Sequence, residues 1–159
     1  MLCLVLLVTL FTSCSGNHSG IQVNYQKKID SLVSIVSAMK PGLGEYMLSA
    51  QIHHNKLWFA GKSGNWDLAK FELDEIKETL DDAIAIETDR PEIKSIPMIY
   101  PFLDSLQQAV NQKDTLAFKR NFGLLTNTCN TCHESVHFGF NKIKIPDNPP
   151  FTNQNYSGN

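Results

Sequence analysis

The strongest constraint on this chain lies between Thr115 and His137. Phe118, Phe122, Leu125, Cys129, Cys132 and Val136 recur every three or four residues there. That is the spacing of one face of an α-helix. Asp114 stands just ahead of the run, where a side-chain oxygen caps the first free amides. A helix over about 115–137 is therefore predicted. Its apolar face ends in the run Cys129-Asn130-Thr131-Cys132-His133. On a helix, residues three and four apart are neighbours, so Cys129, Cys132 and His133 face one region. The chain must pack a long helix whose buried face turns reactive near its end.

Other segments repeat the helical pattern. Tyr25, Ile29, Leu32, Val36 and Met39 form a stripe that stops at Pro41-Gly42, predicting a helix over about 22–39. Leu43, Met47, Ala50, His54 and Leu57 predict a second, over about 43–59. Asn65 is placed to cap a third, over 66–87, with Trp66, Ala69, Leu73, Ile76, Leu80 and Ala83 inward. Pro91 and Pro97 are expected to bracket a break. A fourth helix is expected over about 98–111, with Ile99, Phe102, Leu106 and Ala109 or Val110 facing the core. No segment alternates as a half-buried strand would. The predicted fold is all-α: an antiparallel four-helix bundle over about 43–137, with an additional N-terminal helix and an irregular C-terminal tail. The extra helix is expected to cover one end of the bundle or to meet a partner subunit, as in a homodimer.

The N-terminus reads as an export signal. Met1 to Phe11 is almost wholly apolar but too short to span a bilayer. Small residues then lead into Cys14, in the manner of the lipobox of bacterial lipoproteins. The expected organisation is a signal peptide over 1–13, a linker over 14–24, a helical domain over 25–137 and an extension over 138–159. Lipidation at Cys14 would put the chain on the periplasmic side of a bacterial membrane, held by a lipid anchor. Of four cysteines, loss of Cys3 and lipidation of Cys14 leave only Cys129 and Cys132 for the folded domain. The net charge of −2 gives no reason to expect nucleic acid. No catalytic acid–base pair, nucleophilic triad or phosphate-binding loop is legible, so no enzyme is expected.

Cys-x-x-Cys-His is a signature for covalent haem c. Two thiols at this spacing can bond the two vinyl groups as thioethers, and the adjacent imidazole can reach the iron. One covalent haem c is thus expected on Cys129 and Cys132, with His133 as proximal iron ligand. Three rivals use the same residues. A redox dithiol needs its first cysteine at a helix start, where the thiol pKa falls; here the pair lies near a helix end. A structural zinc site needs four ligands, and Cys132 and His133 are adjacent, which makes tetrahedral ligation by both awkward. A plain disulfide in a non-haem helical bundle would leave His133 unexplained.

The segment from Phe102 to His137, with a short turn before an aromatic-rich final helix and the run Cys129-Asn130-Thr131-Cys132-His133-Glu134, resembles the last two helices of cytochromes c-prime, the class II c-type cytochromes. The resemblance extends over about 43–137. It implies a four-helix bundle with one haem near the end of the last helix. It departs at His137, where the family's Cys-His-Glu-x-x-Arg or Lys run has its basic residue, and in the tail beyond. The implied function is a periplasmic, membrane-anchored one-electron carrier working with a redox protein partner.

The opposite face of the iron decides between two activities. A second protein ligand favours electron transfer; an open position lets nitric oxide or carbon monoxide bind. Candidates lie on the segment 44–61: His54 on the apolar stripe as distal ligand, with Met47 and His53 as rivals. Each also has a plain packing role available, and His18 is a remoter candidate. Two cues conflict here. The adjacent histidines favour ligation, while an antiparallel first helix would bring Met47 nearer the motif. Lys56, Lys62 and Arg120 are candidate partners for propionates or simple surface charges. Glu72, Glu75 and Glu78 with Asp74, Asp81 and Asp82 are expected to form a solvated acidic face. Phe138, Phe140, Phe151 and Tyr156 are expected to wrap an exposed haem edge.

Overall fold

The computed structural model describes residues 18–158. The predicted signal peptide, 1–13, and Cys14 lie outside the described residues. Within them the chain is all-helical, with no strand. The helices are α1 (His18–Met39), α2 (Leu43–Lys62), α3 (Trp66–Ile86), α4 (Tyr100–Asn111) and α5 (Thr115–Ser135). The chain divides into two compact units, one up to Lys40 and one from Pro41 onward. No helix among the described residues is long and apolar enough to cross a membrane.

The first unit is the helix α1. Its stripe of Tyr25, Ile29, Leu32, Val36 and Met39 is present as predicted, but every side chain from 22 to 39 is exposed.

The second unit is organised by its helix ends. After α2, Gly64 adopts a positive φ of 75°. The Asn65 N–H then donates to the Ala60 carbonyl and the Gly64 N–H to Gly61. These are the two bonds of a Schellman stop. Lys113 does the same after α4: Asp114 donates to Ala109, and Lys113 to Val110. In both places the residue that closes one helix caps the next. The Asn65 side chain accepts from the Leu68 N–H, and the Asp114 side chain from Leu116 and Ala117. One residue per turn therefore satisfies free carbonyls behind it and free amides ahead. This makes two tight helix–helix connections from sequence that otherwise looks like ordinary loop.

Leu57, Leu106, Phe118, Phe122 and Leu125 form the centre of the core, each essentially inaccessible to water. Each contributes about 1.5–3 kcal/mol by leaving water. α2 packs on α3 and α5, and α4 packs on α3 and α5. Contacts fix the direction of the α2–α5 pair. A Cβ on Gly61 would lie 2.2 Å from the Phe118 ring. Trp58 meets Phe122 with ring centroids 5.0 Å apart, and His54 meets Thr126. As α2 advances, its partners on α5 recede, so the two helices are antiparallel.

Four local expectations are corrected. The stretch bracketed by Pro91 and Pro97 is a 3-10 helix, Pro91–Ile99, that buries Ile93, Ile96 and Ile99. Pro91 sits in its first turn, where a missing N–H costs nothing. In α4 it is Leu103 that is buried, with Phe102 half-buried against the core. Glu72 does not belong to a solvated face. It is fully buried, paired with Lys56 and 2.7 Å from His53 Nδ1. Lys56 is itself only 13% exposed, not a surface charge. A buried carboxylate persists because these partners replace its lost water.

Candidate functional site

α5 runs for about four turns with its apolar face inward and then presents Cys129, Cys132 and His133. All three line one cavity of about 300 Å³ between α2, α3, the 3-10 segment and the C-terminal tail. The wall is apolar: Leu43, Ile76, Leu80, Ile96, Leu125 and Val136 contribute. Arg90 and Glu92 supply charge at the cavity, joined by a hydrogen bond of 2.7 Å. The sequence reading passed over Arg90. Lys56, Lys62 and Arg120, which it named instead, do not line the cavity. An arginine in a Pro-bounded connection carries no periodic signal, so only the packing of the 3-10 segment reveals it.

Both cysteines are free thiols. Burial, reinforced by the neighbouring Cys132, pushes the Cys129 thiol up to about 12. Burial also raises Cys132. A redox dithiol depends on the opposite shift, toward thiolate near neutral pH. Among the described residues, no three His, Cys, Asp or Glu side chains gather as a metal-ion site. A Cys/His zinc cluster would need such a gathering.

His133 Nδ1 lies 2.7 Å from the Asn141 backbone oxygen. A carbonyl oxygen only accepts, so Nδ1 carries the proton. In the neutral ring Nε2 then holds the free lone pair.

His54 is buried, and its Nε2 lies 2.9 Å from Thr126 Oγ1. Thr126 Oγ1 already donates its only proton to the Phe122 carbonyl, at 2.8 Å. It can therefore only accept from His54, so His54 Nε2 carries a hydrogen and no free pair. The ring lies 4.4 Å from that of Phe122, and burial lowers its pKa to about 4. His53 is turned toward α3, where it meets Glu72 and, at 3.8 Å, Glu75. It does not line the cavity; Met47 and His54 both do.

The antiparallel contacts also set the level of these groups. Met47 lies seven residues before His54 on α2, and His133 lies seven residues after Thr126 on α5. In an antiparallel pair those steps run the same way, each about 10 Å. Met47 is thus level with His133, and His54 lies two turns away. The tail aromatics expected to act together are placed differently. Phe138 lines the cavity, while Phe140 is 82% exposed. Tyr156 packs on Phe59 with ring centroids 5.8 Å apart. Searched against protein-family models, curated proteins and solved structures, the chain matches none.

Proposed function

We propose that this chain is an exported mono-haem c-type cytochrome that carries single electrons, built on an antiparallel four-helix bundle formed by α2 to α5. The carrying observation is that Cys129, Cys132 and His133 share one apolar cavity at the end of α5. The residues present suit the group. Two thiols with raised pKa values can be spent on thioethers without loss of a redox function. The bare His133 Nε2 would hold the iron. Apolar walls exclude water, and Arg90 offers a counter-charge for carboxylates. When bound, haem supplies a one-electron iron couple.

Met47 is the sixth ligand in this reading, in preference to His54. Both residues line the cavity, but Met47 stands at the level of His133, whereas the Nε2–H of His54 is committed to Thr126. His54 then braces α2 against α5. The apolar cavity also favours a second reading. If Met47 packs on the wall without ligating, the haem held by His133 would be free to take nitric oxide or carbon monoxide. A lipid anchor at Cys14, the periplasmic location and a redox protein partner belong to the first reading.

Expression with a haem-attachment system decides the matter. The carrier reading expects covalent haem, lost in Cys129→Ala with Cys132→Ala, and a low-spin spectrum in both oxidation states that carbon monoxide does not change. Met47→Ala should turn the ferrous form high-spin and carbon-monoxide-reactive, while His54→Ala should leave it low-spin. Ready carbon monoxide binding by the unaltered protein would favour the gas-binding reading. A chain that never takes up haem would overturn both.

A further inference from the structure

The two residues between the cysteines are usually treated as spacers, but one of them makes a specific double contact. The Asn130 side chain donates from Nδ2 to the Ile143 carbonyl at 2.8 Å. Its Oδ1 accepts from the Ile143 N–H at 2.7 Å. This is the pairing one strand offers another, made here by a single side chain. It grips the backbone two residues beyond Asn141, whose carbonyl takes the His133 Nδ1 proton. The tail reaches this place because α5 ends in a Schellman stop. His137 adopts a positive φ of 67°, the Phe138 N–H donates to the His133 carbonyl at 2.7 Å, and the His137 N–H to Glu134 at 3.3 Å. The chain thereby reverses over the last turn of its own helix.

We propose that Asn130 is a positioning residue for His133. By clasping Ile143 it holds the Asn141 carbonyl against Nδ1, which fixes the ring's tautomer and orientation and keeps Nε2 as the free donor atom. The proposal rests on the haem reading for its purpose, though not for its geometry. A carbonyl accepting from Nδ1 also raises the electron density of the ring and so favours the oxidised iron. The tail is thus part of the proximal site rather than a cover for it.

The test uses the full chain, with and without haem, and compares Asn130→Ala with Asn65→Ala. Asn65 holds the far end of the tail through Ser157 O at 3.0 Å and caps α3, so its loss costs stability without touching residues 141–143. Nitrogen-15 NMR of the haem-free protein should show His133 protonated at Nδ1. In Asn130→Ala the mixture should move toward the Nε2–H form, and the Ile143 amide should exchange tenfold faster or more, as expected for two lost hydrogen bonds. In the haem-loaded protein Asn130→Ala should raise the reduction potential. Asn65→Ala should change none of these. Unchanged tautomer and potential in Asn130→Ala, or equal changes in both variants, would overturn the proposal. If haem never attaches, the functional reading fails, while the tautomer and exchange results still decide the clasp.

Discussion

Two single residues set how closely α2 and α5 meet, and each gives a measurable consequence. Gly61 has no side chain because the Phe118 ring occupies that space, with three ring atoms within 2.5 Å of where a Cβ would stand. Alanine normally gains about 1 kcal/mol over glycine inside a helix. Here overpacking against a fully buried ring opposes it by about 1–3 kcal/mol. Gly61→Ala should therefore lower the urea unfolding midpoint, and an unchanged or raised midpoint would show that Phe118 can retreat freely. His54 supplies a pH dependence. Its ring takes up a proton near pH 6.5 when unfolded, but burial holds the folded value at about 4. Between those values the unfolded chain binds more protons. The His54 contribution is therefore intact above about pH 6.5 and is lost progressively as pH falls toward 4, by up to about 3 kcal/mol. Urea titrations at pH 7.5 and 5.0 should show a loss of stability that His54→Gln reduces. An identical loss in the variant would assign the acid sensitivity elsewhere.

Among the elements, helix stops do most of the organising, and they use unequal residues for the same backbone shape. Gly64 takes positive φ without strain, whereas Lys113 and His137 take it with a Cβ. Left-handed backbone costs an L-residue about 1–2 kcal/mol, partly offset by the extra unfolded freedom of glycine. His137→Gly should raise stability by about 0.5–1 kcal/mol, and Gly64→Ala should lower it by a similar amount. Thermal unfolding of the two variants measures both, and a destabilised His137→Gly would mean that its imidazole makes a contact worth more than the strain. The stops also explain what was legible in the sequence. Asn65 and Asp114 could be read as caps because a short polar side chain before an apolar stripe is a local signal. The 3-10 segment could not, since two prolines read as a break whether or not the chain coils between them. Glu72 looked like its acidic neighbours because sequence spacing does not reveal that Lys56 and His53 come from α2 to meet it. Which of Met47 and His54 stands level with His133 was not legible for the same reason: it depends on the register of α2 against α5, which contacts such as His54 to Thr126 supply.

For the whole molecule, the boundary at Lys40 separates two kinds of helix with similar sequence patterns. The stripes of α1 and α2 obey the same spacing, yet only α2 contributes buried side chains. Periodicity marks a face able to be buried and says nothing about whether a surface exists to bury it. Among the described residues, every buried side chain lies between His54 and Tyr156. The second unit consequently contains its own core, the three Schellman stops, the cavity and the clasped tail. A chain beginning at Pro41 should unfold in a single cooperative transition, with a midpoint within about 2 °C of the longer chain. By contrast, a loss of even 1 kcal/mol in a domain this size would move it by about 4 °C or more. Differential scanning calorimetry of the two lengths makes the comparison. A fall of that size on removing residues 1–40 would show that α1 helps to stabilise the second unit.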